Sequence, residues 1–245
     1  MSALAFIVVI FFTSMLQRIS GFSFAVLAVA GSSAIATASL WEITFAVTLL
    51  LLANTAISLI ECRSWPEWKT FFAILAGILP GTIIGLLVLW LLSTESSGTE
   101  DWLLGLFTLL LAGLMWRNQG KAHLSSRWKM ALMGSFSGLT GGAFGAPGPP
   151  LVYGLYQQPM RLTEIRTLLF SLFFLYGAFR TILAIGSEAP SHQSLWLALI
   201  GLPGVIAGTY LGQYLAKRMD EAHVRRLAIS LLAMSGVLLI VRQAL

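Results

Sequence analysis

A single cysteine, Cys62, stands in 245 residues, which excludes an internal disulfide and any multi-cysteine metal site. Charge is almost as scarce. Asp, Glu, Lys and Arg make up 10% of the chain, against roughly 25% in a soluble domain. The three histidines, His123, His192 and His223, fall in links or at the ends of apolar runs, and no His-Glu-x-x-His run exists to hold zinc. Gly-x-Ser-x-Gly and a nucleotide-binding loop are missing too, which leaves no serine-hydrolase or ATP-driven reading. Asp101 and Asp220 both lie in links, so no pair of aspartates sits inside an apolar run. The first residues carry no basic start or convincing cleavage site, so no cleavable signal peptide is expected. The expectation is no enzyme, no metal and no cofactor.

What is present is long apolar sequence. Hydrophobic residues make up 57%, above the roughly 45–50% of soluble domains, and charges are confined to short patches between the runs. This composition is that of an all-α polytopic protein of the cytoplasmic (inner) membrane, in contact with lipid. The net charge of +5 carries no nucleic-acid signal, because Lys and Arg gather at helix ends, as cytoplasmic loops require. A homo-oligomer is compatible with the sequence.

The organising stretch is 138–150, with five glycines and three prolines between apolar flanks. Gly and Pro together predict that no helix runs through it. Unpaired peptide groups at bilayer depth are tolerated only inside protein or beside a polar cavity, and transporters place substrate sites at such breaks. Near the start, an apolar run over 2–16 is short for a span; a polar tip over 17–23 and a second run over 24–40 follow it. The two runs predict a re-entrant hairpin. Further spans are read over 41–60, 70–92, 102–116, 162–186, 195–216 and 227–241.

The halves repeat. Leu79-Pro80-Gly81 recurs as Leu202-Pro203-Gly204, 123 residues on, and Glu42-Ile43 recurs as Glu164-Ile165, 122 residues on. The link 61–69 holds two Lys/Arg and its mate 187–194 none, whereas 93–101 holds none and its mate 217–226 four. Mates therefore prefer opposite sides of the membrane. The expected fold is two inverted repeats, 1–120 and 121–245, each a broken, re-entrant helical hairpin plus three transmembrane helices. Both hairpin tips then face each other near the midplane, and link 117–129 is cytoplasmic.

Gln17-Arg18-Ile19-Ser20-Gly21-Phe22-Ser23-Phe24 and the Gly/Pro stretch 138–151 resemble the first- and second-half signatures of the TauE/SafE sulfite exporter family. The likeness covers the whole chain. It implies a secondary transporter of sulfur-containing anions such as sulfite and small organosulfonates. Ser20 and Ser23 stand where the family usually has glycine, and Ala30-Gly31 where it usually has proline.

The residues support an anion site independently. Helices that start at a break expose amide N–H groups carrying about half a positive charge, which suits a sulfonate or carboxylate. Pro149 and Pro150 favour a start there, and Phe22 to Phe24 would start the partner half-helix. Candidate substrate contacts are Gln17, Arg18, Ser20, Gly21, Phe22, Ser23, Thr140, Gly141, Gly142, Gly145, Pro147, Gly148, Tyr153 and Arg180. Arg18 either grips an oxyanion or serves topology at the membrane edge. Arg180 has no charged sequence neighbour, and a cation in hydrocarbon costs at least about 3 kcal/mol on insertion scales unless it snorkels or finds a partner. Glu42 and Glu164, at matched helix starts, are either proton-coupling carboxylates or helix-start acids. Asn54 and Tyr176 read as helix–helix hydrogen-bonding groups. An anion channel or a non-transporting scaffold are the competing functions.

Overall fold

The computed structural model describes residues 3–35, 38–62, 66–92, 99–117, 126–187 and 191–244. Ten helices make up the described chain: α1 (Ala3–Ser20), α2 (Phe24–Ile35), α3 (Leu40–Glu61), α4 (Trp68–Leu92), α5 (Thr99–Arg117), α6 (Arg127–Phe144), α7 (Gly148–Tyr156), α8 (Leu162–Ser187), α9 (His192–Ala216) and α10 (Glu221–Ala244). Five of them, α1, α3, α4, α8 and α9, contain segments long and apolar enough to cross a bilayer. The runs over 102–116 and 227–241 lie in α5 and α10, which fall outside that set. Cys62 is a free thiol.

The surface is apolar and the interior partly polar. Leu4, Phe12, Phe72, Ile84, Leu87, Ile182 and Leu199 are exposed, while Gln17, Asn54, Thr48 and Arg180 are buried. That inversion is what lipid as solvent selects. Trp68 and Trp128 are exposed beside Lys69 and Arg127, an aromatic and basic rim of the kind found at a membrane interface. The same end carries the C-terminus of α9 and the start of α10, with Lys217, Arg218, Arg225 and Arg226. By the positive-inside rule this end is cytoplasmic.

Both breaks are shorter than the sequence suggests. α1 continues through Gln17 and Arg18 to Ser20, so the first run is long enough to span, and only Gly21, Phe22 and Ser23 lie between it and α2. The expectation that no helix crosses 138–150 is wrong for its first half. α6 runs through Gly138, Thr140, Gly141 and Gly142 to Phe144. The reason is packing. Gly134, Gly138 and Gly142 recur every four residues on the face that meets α4, where Gly77, Gly81 and Gly85 face them at the same spacing. A Cβ on any of these six would strike the backbone of the opposite helix. Close approach of this kind holds helices together in membranes. Only Gly145, Ala146 and Pro147 leave helical pairing, and Pro149 and Pro150 then sit in the first turn of α7, as expected.

Packing partners exchange when the halves are exchanged. α1 packs on α9 as α6 packs on α4, α3 packs on α8, and α5 on α10. α9 presents Gly204, Gly208 and Gly212 to α1, but α1 answers with Phe11, Ser14, Met15 and Arg18. The two seams also differ in register. Gly204 faces the Ile7 carbonyl, 17 residues before α2 starts, whereas its mate Gly81 faces the Ser135 carbonyl, 13 residues before α7 starts. At 1.5 Å per residue, α1 sits about 6 Å, one helical turn, further along its partner than α6 does.

Candidate substrate site

The first break is held by its own hydroxyls. α1 closes with the Gly21 N–H on the Gln17 carbonyl at 2.6 Å. Ser20 Oγ donates to the Phe22 carbonyl at 2.9 Å and accepts from the Phe22 N–H at 3.3 Å. Gly21 and Ser23 both have positive φ, 84° and 89°. For serine this conformation is strained, and such strain survives only where the surroundings impose it. Ser23 is 5% exposed, and its hydroxyl meets no hydrogen-bond partner.

The second break is held from outside. Gly145, with φ 68°, caps α6 and bonds back to Gly141 at 2.8 Å. Ser137 donates to the Pro147 carbonyl at 2.6 Å, and Tyr176 on α8 donates to the Gly141 carbonyl at 2.6 Å. Asn54 binds Gln17 at 3.4 Å and Thr209 at 3.0 Å. Asn54 and Tyr176 therefore tie helices together, as their mid-span positions predicted.

The breaks meet. Gln17, Phe22, Ser23, Phe24, Ala25 and Val26 from the first half line one cavity with Pro147 and Gly148 from the second; Leu51 and Phe173 form its walls. A Cβ on Gly148 would lie 3.8 Å from Phe22 Cβ. The start of α2 and the start of α7 thus face one space, and Ser23, whose hydroxyl has no partner, is one of its lining residues. The cavity measures about 10 Å³, room for one water. That is less space than a sulfur oxyanion needs.

The remaining candidates distribute around that centre. Ser20 and Gly21 form the tip just outside the lining, and Thr140 bonds within α6, to Phe136 and Ser137. Gly141 serves Tyr176, Gly142 faces α4, and Tyr153 lies on α7 away from the lining. Arg18, 8% exposed, donates to the Ser58 carbonyl at 3.4 Å and lies 5.5 Å from the Phe170 ring centre, on the cytoplasmic side of the cavity. Arg180, 5% exposed, donates to Thr48 Oγ1 at 2.6 Å and lies beside Gly145, on the other side. Among the described residues no carboxylate pairs with it. Its Nε is buried without an acceptor.

Glu42 and Glu164 are occupied at helix starts. Glu42 completes a capping box with Ser39 and accepts from Ser191 at 2.8 Å. Glu164 pairs with Arg161 at 2.6 Å. The lining residues Leu51 and Phe173 have no signal in sequence, since they are ordinary apolar positions on long spans. Ser137 could have been found as a hydroxyl two turns before the end of a helix that runs into a proline-rich stop.

The family described as sulfite exporter TauE/SafE matches residues 6–239. A protein named "Probable sulfite/organosulfonate exporter TauE" from Cupriavidus necator is 30% identical over 218 residues, covering 88% of this chain and 85% of its own. No solved structure matches significantly.

Proposed function

The chain belongs to the sulfite exporter TauE/SafE family, and on that premise we propose that it exports sulfite or a small organosulfonate through the cavity between the two breaks. Family membership makes it an anion transporter of the cytoplasmic membrane and not an enzyme. The observation that carries the site is Ser23: a strained, buried serine whose hydroxyl has no partner, in the lining shared by two helix starts. A sulfur oxyanion would accept from that hydroxyl, from the first-turn amides of α2 and from the Gly148 amide of α7, whose next two residues are prolines without an N–H, and the helix dipoles favour negative charge there. Arg180 then completes the charge balance from the outer side.

The halves act as inverted repeats in this reading. The exchange of packing partners supports it, and the one-turn difference in register suggests the motion. Exchanging the registers of the two seams would withdraw the first tip and advance the second, opening the closed cavity to the other side. Such one-turn steps are known elements of switching proteins. A cavity with room for one water favours a carrier over a standing pore. Flux of radiolabelled sulfite in proteoliposomes tests the site. Arg180→Gln is expected to lower flux at least tenfold, and undiminished flux removes Arg180 from the pathway.

A further inference from the structure

Arg166 is a cation that the paired breaks leave unexplained. It lies near the start of α8, at the cytoplasmic end, and its stem packs on the first tip: a Cβ on Gly21 would sit 3.4 Å from Arg166 Cγ. Its Nε and Nη2 are buried and have no hydrogen-bond partner. These two atoms form the edge of a guanidinium that meets an oxyanion through two parallel bonds. Gln157 Nε2, just past α7, is a further buried donor without a partner.

The surroundings are cationic. Arg18 acts on Arg166 as a like charge; Glu221, Tyr156 and Cys62 are the groups of opposite effect. Arg225 from α10 lies 5.6 Å from the Tyr156 ring centre and donates to the Tyr156 carbonyl. The Tyr156 hydroxyl donates to the Ser20 carbonyl at 2.6 Å. Arg166 and Arg225, from two helices, thus act on one tyrosine at the first tip, and Arg18, from a third, acts on Arg166. Among the described residues no carboxylate bridges Arg166. Two buried donors left idle on a half-buried guanidinium cost stability until an acceptor arrives.

We propose that Arg166, with Arg18 and Arg225, forms a second subsite for a sulfur oxyanion, on the cytoplasmic approach to the central cavity. The inference rests on the transport reading above and adds a direction to it. On the 122-residue spacing the mate of Arg166 is Thr44, which lies beside Gly145 as Arg166 lies beside Gly21. The cytoplasmic approach therefore carries a guanidinium where the outer approach carries a hydroxyl. An anion is captured better from inside, which suits export.

Sided transport tests this. Radiolabelled sulfite is offered to the cytoplasmic face in inside-out membrane vesicles and to the outer face in right-side-out vesicles. Arg166→Gln is expected to raise the half-saturating concentration about tenfold on the cytoplasmic face and to leave the outer value within twofold. Without ligand the variant is expected to melt no lower than the wild type, because it loses a half-buried cation whose two inward donors are unpaired. An equal rise on both faces, no rise, or a lower melting temperature overturns the subsite. Arg225→Gln repeats the sidedness at about threefold, and its absence there removes Arg225. If the wild type moves no sulfite from either face, the transport reading fails instead. The subsite is then decided by thermal shift: sulfite must stabilise the wild type and not Arg166→Gln, and equal stabilisation overturns it.

Discussion

Ser23 concentrates the chemistry at the residue scale. Its φ of 89° and its idle hydroxyl are both unfavourable. Two substitutions separate the effects. Ser23→Gly relieves a backbone strain of about 1 kcal/mol, so the melting temperature is expected to rise. Ser23→Ala keeps the strain but removes a hydrogen bond to a charged group, worth about 1.5–3 kcal/mol, so sulfite affinity is expected to fall at least tenfold. Thermal unfolding and ligand-induced thermal shift measure both. A Ser23→Gly protein that melts lower would mean that the hydroxyl serves the fold. Glu42 is the contrasting case: its carboxylate is engaged by Ser39 and Ser191, so Glu42→Gln is expected to weaken the α3 start slightly while transport persists in the folded fraction.

Helix seams decide how the breaks are presented, at the scale of elements. α4 and α6 approach through glycines on both sides, and the Gly81 and Gly138 positions leave no space for a side chain. Gly138→Val is expected to destabilise by about 1–3 kcal/mol or more and to lower the folded yield in detergent, measured by size-exclusion chromatography. A normal yield would mean that the seam can spread. This seam is also where the sequence misleads. Gly138 and Gly142 read as helix breakers because glycine is judged by its own backbone freedom. Their four-residue spacing becomes meaningful only when Gly77, Gly81 and Gly85 are laid against them, and sequence does not say which helices touch. The prolines are local, and so they were legible: Pro149 and Pro150 start α7 where they were expected to. Arg180 was legible as an unpaired cation in an apolar run, but its Thr48 partner lies 132 residues away. The lining by Leu51 and Phe173 was invisible for the same reason of distance.

For the whole molecule, the account reduces to one geometric statement: two tips, more than a hundred residues apart in sequence, line one cavity. Phe22 and Gly148 provide the direct test. Their Cβ positions lie 3.8 Å apart, the spacing a disulfide requires. The single native thiol, Cys62, can be replaced by serine to give a clean background. In that background Phe22→Cys combined with Gly148→Cys is expected to form an intramolecular disulfide on mild oxidation, with sulfite flux lost on oxidation and restored by reduction. Two thiols that remain free and label independently under the same oxidation would place the tips apart, and the shared anion site would not exist.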